Sequence, residues 1–174
     1  MDESKNTKSK DINLKDKTLD IWNQAKETDP RFTKKVSFGA RSFTSIDAHY
    51  QIRRATEIFG PVGAGWGYSV KYDTLTHDNK AFQFADVVIW ISKPEMAYGP
   101  VRGCNLLVDG KGRVDDDAPK KALTDALTKA LSHLGFNADV FMGMFDSNKY
   151  VKQLEEKYKG NVDKSKVQEV TTND

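Results

Sequence analysis

Cys104 is the only cysteine in 174 residues. That excludes an intrachain disulfide framework and makes a reducing compartment the natural setting. No apolar run approaches the roughly 18 residues a membrane span needs, so an integral helical membrane protein is excluded as well. Charge of one sign is also lacking, since 27 Lys and Arg face 25 Asp and Glu for a net charge of +2. A protein that wraps nucleic acid by bulk charge would show a far larger imbalance. Three scattered histidines, His49, His77 and His133, and the lone thiol make no zinc-ligand pattern. No stretch matches the phosphate loop G-x-x-x-x-G-K-[ST], and Gly63-Ala-Gly65-Trp-Gly67 lacks the spacing of a dinucleotide fingerprint. No cofactor, metal or ATP-driven step is expected. Met1 to Asp20 is a polar mixture without an apolar h-region, so no secretory signal is expected either, and the cytoplasm is the expected location.

The chain does contain enough apolar material for one core. Hydrophobic residues make up 38% of it, and the shortfall lies at the ends. Residues 1–12 and 159–174 read as polar tails around a single domain at 13–158, about 145 residues, an ordinary domain size. Leu14, Leu19, Ile21, Trp22 and Ala25 fit a short helix that Asp29-Pro30 ends. Thr44-Ser-Ile-Asp47 reads as a variant capping box. It opens a helix whose Ala48, Ile52, Ala55 and Phe59 share a face until Gly60-Pro61.

From Trp66 the period changes. Trp66 to Tyr72 and Ala81 to Ile91 are rich in aromatic and β-branched residues around a polar His77-Asp78-Asn79 turn, and a third strand is predicted from Val101 to Val108. Asp115-Asp116-Asp117 and Pro119 then mark a helix start. Ala118, Ala122, Leu123, Ala126, Leu127, Ala130, Leu131 and Leu134 keep one apolar face as far as Gly135, a C′ glycine. A last helix is predicted from Asn148 to Tyr158. The fold class expected is α+β: a β-β-β-α core, an antiparallel meander packed by a long helix, with flanking helices.

Two features carry chemistry. The run Asp115 to Asp117 suggests a metal-dependent nuclease on paper, because hard cations want several oxygens. Consecutive residues at a helix start point in different directions, however, and capping accounts for them. The second feature is the segment from Pro30 to Arg54, where Arg31, Lys34, Lys35, Arg41, Arg53 and Arg54 face Asp47 alone, a local charge of +5. Phe32, Phe38, Phe43 and Tyr50 are interleaved with them. This is the composition of a surface that neutralises phosphates and offers stacking faces. It is equally the composition of a solvated basic loop beside core aromatics.

The order of pieces is more specific than any one of them. A helix ending Ala55-Thr-Glu-Ile-Phe59-Gly60, a Gly-rich turn reaching Trp66, a meander, and a helix reading Lys120-Lys121-Ala-Leu-Thr124-Asp125-Ala-Leu-Thr128-Lys129-Ala-Leu-Ser-His-Leu-Gly135 resemble the Rad-fifty-two superfamily of single-strand annealing proteins, in particular its phage Sak-like branch. The resemblance covers roughly residues 34–150. It implies an ATP-independent protein, not an enzyme, that binds single-stranded DNA and anneals complementary strands in phage-type recombination in the bacterial host cytoplasm. It further implies a homo-oligomer, as a ring or helical filament, that holds annealed duplex intermediates and works beside an exonuclease or host single-strand binding protein.

By position, the resemblance places Lys129 at the inner DNA groove, matches Lys35, with Lys34 beside it, to a basic residue in the loop before the helix, and matches Lys120 to a basic position at the start of the long helix. It places Lys80 at an outer site. Thr128 and Ser132 stand where the family has basic residues, a deficit that Arg41, Arg53 or Arg54 is expected to offset. The alternative is a passive single-strand binding protein, whose usual barrel has five strands.

Overall fold

The computed structural model describes residues 19–159. Helix α1 spans Asp20–Ala25, so the start of the helix expected from Leu14 lies outside the described residues. Asp29 then caps a single 3-10 turn, Pro30–Phe32, its carboxylate accepting from the Arg31 backbone N–H at 3.0 Å.

The basic segment that follows is folded, contrary to the loop expected there. Strands β1 (Thr33–Phe38) and β2 (Arg41–Ile46) pair antiparallel, with Lys35 opposite Thr44 and Val36 opposite Phe43. Gly39, at φ +60°, supplies the left-handed turn conformation that a two-residue hairpin loop requires. Strand β2 also takes Thr44 away from the expected capping box. Asp47 alone caps helix α2 (Ala48–Phe59), accepting from the Tyr50 N–H at 2.9 Å.

The meander is longer than its sequence signal. Strands β3 (Trp66–His77), β4 (Lys80–Ile91) and β5 (Lys93–Val108) form one antiparallel sheet in the order β3-β4-β5. Thr74 to His77 continue β3 although only Leu75 among them is apolar, because each is paired across to Lys80 through Gln83. Asp78 and Asn79, both at positive φ, make the tight turn that fixes this register. Strand β5 begins eight residues earlier than Val101 and includes Pro94, which an edge strand tolerates.

Along β4 the alternation is clean: Ala81, Gln83, Ala85, Val87 and Ile89 are buried. That face receives helix α3 (Ala118–His133), which buries Ala118, Ala122, Ala126, Leu127, Ala130 and Leu131. The helix rests on β5 at Gly103, where a Cβ would lie 2.2 Å from the Ala122 carbonyl oxygen and 2.4 Å from the Ala126 nitrogen. Trp66 is fully buried and Phe59 packs against the same cluster, so both serve the core. The molecule is thus α+β, a three-stranded antiparallel sheet packed by a long helix, with a separate hairpin and flanking helices.

After α3 the chain turns through Gly135 (φ +94°) into the short helix α4 (Ala138–Phe141), a 3-10 turn (Met144–Asp146) and helix α5 (Asn148–Lys159). A buried polar cluster ties these pieces to the front of the domain. Asp139 accepts from the Thr28 N–H (2.8 Å), the Thr28 hydroxyl (2.6 Å) and the Tyr150 hydroxyl (2.9 Å). Asn137 donates to Thr28 and accepts from Gln51, and Gln51 accepts from the Thr128 hydroxyl at 2.8 Å. Burial and the Asp139 contact push the Tyr150 hydroxyl pKa up. Each buried polar atom here has a partner, which burial without such partners would penalise heavily.

Candidate nucleic-acid interface

An open groove of about 880 Å³ lies between β2 and the exposed side of α3, and residues of the segment Val140 to Asp146 also line it. Strand β2 contributes Ser42 to Ile46, whereas α3 contributes Lys120, Lys121, Thr124, Asp125 and Thr128. Phe43 on β2 and Phe141 on α4 both belong to its wall and are 53% and 50% exposed. Hydroxyls, a few charges and two open aromatic faces are therefore available to an extended ligand.

The structure distributes the predicted basic residues unevenly. Lys120 lines the groove, with Asp117 loosely opposite at 3.7 Å. Lys34 and Lys35, on β1, line a smaller cavity of about 230 Å³ that shares Thr44 and Phe145 with the groove. Arg41 stands exposed at the first residue of β2. Among the described residues, none of Lys34, Lys35 and Arg41 has a carboxylate within ion-pair distance. Lys129 is exposed but paired with Asp125 at 2.7 Å.

Like Arg41 and Lys129, the remaining three line neither cavity. Arg53 lies over the rings of Phe32 (4.8 Å) and Tyr50 (5.5 Å), which are themselves stacked at 4.6 Å, and it reaches Glu57 at 3.3 Å. Arg54 is committed to Glu57 (2.5 Å) and to the Gln24 carbonyl (2.8 Å), where it ties α2 to α1. Lys80 sits at the β3–β4 turn, next to Gly110.

Sequence reasoning missed Lys121, which also lines the groove. Both oxygens of Asp115 accept from its ammonium, at 2.9 and 2.7 Å. That contact holds the Asp115 carboxyl below its ordinary range and the Lys121 ammonium above its own. The Lys120-Lys121 doublet was the available signal, but adjacent helical residues do not reveal which one turns toward a neighbouring strand. Asp115 further accepts from Asn105 and from the Asp117 N–H, whereas Asp117, at the N-cap of α3, makes no side-chain capping bond of its own. Thr128 gives its hydroxyl to buried Gln51.

On the sheet face away from α3, Asp86 is held by Arg102 through two 2.6 Å bonds, which lower its pKa, while Arg102 lies over Phe84 at 4.9 Å. Among the described residues no three His, Cys, Asp or Glu side chains gather as a metal site, and no helix is long and apolar enough to cross a membrane. Compared with known proteins, the chain matches no family model and no curated sequence.

Proposed function

We propose that this chain binds single-stranded DNA along the groove between β2 and α3 and anneals complementary strands without nucleotide hydrolysis, acting as an oligomer. The observation that carries this reading is the hairpin beside the groove, whose Lys34, Lys35 and Arg41 are exposed and unpaired among the described residues while Phe43 stands open on the same hairpin. Unpaired cations on a hairpin can follow a phosphate backbone without reading sequence, and exposed rings accept any base. Two polyanions approach only where their charge is neutralised, and pairing needs base edges left free for the incoming strand. A groove rich in hydroxyls and modest in net charge suits a strand that must be held and then handed on.

The test is an annealing assay with complementary labelled oligonucleotides at low salt and no nucleotide. Acceleration over the protein-free rate is expected, and its absence would sink the proposal. Binding accompanied by slowed pairing would instead favour a passive coat. Negative-stain imaging with and without oligonucleotide examines the assembly, with rings or filaments expected and monomers counting against an oligomeric annealer.

A further inference from the structure

The lysines of α3 are held by carboxylates of their own chain, and one of these carboxylates is placed differently from the rest. Asp125 Oδ2 accepts from Lys129 Nζ at 2.7 Å, one helical turn along, and from the Cys104 N–H on β5 at 3.0 Å. The Asp125 and Lys129 side chains are 37% and 48% exposed, a setting in which an ion pair is weak and screened by salt. Asp125 is also part of the groove wall, so its negative charge faces the path of any polyanion there. Lys121 makes the contrast, because both oxygens of Asp115 hold it.

A phosphate entering beside Asp125 meets repulsion from the carboxylate and a lysine already occupied. If Lys129 swings from Asp125 to the phosphate, Asp125 keeps its bond from Cys104 N–H, so the exchange strands no hydrogen-bonding partner.

We infer that Asp125 is a positioning residue that keeps Lys129 as a reserve contact, limiting how tightly the groove grips one strand. This rests on the single-stranded DNA reading proposed above. A moderated grip matters for annealing, because a strand held by every available cation is slow to leave with its complement.

The test measures binding of the full chain to a labelled oligothymidylate by fluorescence anisotropy across a salt series, for wild type, Asp125→Asn, Lys129→Ala and the double variant. Asn keeps an oxygen for the Cys104 N–H, and a melting curve checks the fold. Asp125→Asn is expected to bind about threefold tighter at low salt, with the slope of log affinity against log salt steeper by about 0.7, one added single-strand contact. Lys129→Ala is expected to change wild-type affinity less than about twofold, and to remove most of the gain in the double variant, following from the same single contact.

The inference is overturned if wild type binds but Asp125→Asn binds no tighter, or if it gains equally with Lys129 absent. Should Asp125→Asn not fold, Lys129→Ala decides alone, since a loss as large as that of Lys35→Ala overturns the inference. If wild type binds no oligonucleotide, the DNA reading itself fails and takes this one with it.

Discussion

The hairpin β1–β2 and the helix α3 flank one groove and carry similar numbers of cations, yet they offer different amounts of charge. On the hairpin, Lys34, Lys35 and Arg41 have no carboxylate partner among the described residues. On the helix, Lys120, Lys121 and Lys129 each face an aspartate, at 3.7, 2.7 and 2.7 Å. The mechanical contrast runs the other way. The helix is seated on the sheet through Gly103 and a row of alanines, whereas a two-stranded hairpin has little stability of its own. Counting basic residues therefore overstates the helix as a DNA surface and understates the hairpin. Formal charge is set by sequence, but available charge depends on which carboxylates the fold brings alongside.

The largest effect expected comes from breaking the helix's seat. Gly103→Val places a branched side chain where even a Cβ would overlap the α3 backbone, and should cost about 3 kcal/mol or more in urea unfolding. A loss under about 1 kcal/mol would mean that the helix is not seated as described.

Next, Lys34→Ala, Lys35→Ala and Arg41→Ala combined should lower the slope of log affinity for single-stranded DNA against log salt by about 2, three contacts at about 0.7 each. Lys120→Ala with Lys121→Ala should lower it by less than about 0.7. Equal losses in the two experiments would erase the difference between hairpin and helix.

Phe43→Ala should weaken binding by about 1 kcal/mol while leaving the salt slope unchanged, because stacking releases no counterion. Undiminished binding would show that the hairpin acts by charge alone.

The smallest effect is a matter of pH. The folded Asp115 carboxyl is depressed by Lys121, so the stability it contributes is present above the unfolded value of about 3.9 and is lost as pH falls through the lower folded value. Asp115→Asn should thus be less stable than wild type at pH 7, and the difference should close only in strong acid. A gap that closes well above the unfolded value would contradict the pairing of Lys121.

Strong periodicity made much of this architecture legible in advance. The alanine and leucine face of α3, the alternation in β4 and the Ala48–Phe59 helix rest on repeats long enough to outweigh local exceptions. The hairpin was hidden because Thr33 and Val36, like Phe43 and Ile46, are separated by two polar or charged residues, so neither strand shows the period-2 apolar pattern of a half-buried strand. Similarly, Thr74 to His77 carry no apolar pattern and are strand only because β4 pairs with them.

At the candidate site, Lys120 was legible from its motif, but its neighbours' commitments were not. The Lys121 pairing depends on a loop residue six positions earlier, and the bond from Arg54 to Gln24 spans 30 positions. Such partners are products of tertiary packing, and one sequence contains no local trace of them. The internal engagement of Thr128 with Gln51, 77 positions away, belongs to the same class.

The buried cluster around Asp139 has a consequence for how the protein is made. Thr28 and Asp139 are 111 positions apart, yet both hydrogen-bond donors of Thr28 end on that one carboxylate. At about 5 to 20 residues per second, a ribosome needs on the order of 6 to 22 s to pass from one to the other. Throughout that interval the leading segment has none of its final polar partners from beyond α3. The hairpin closes from neighbours in sequence, but the front of the domain docks only after Asp139 has been made.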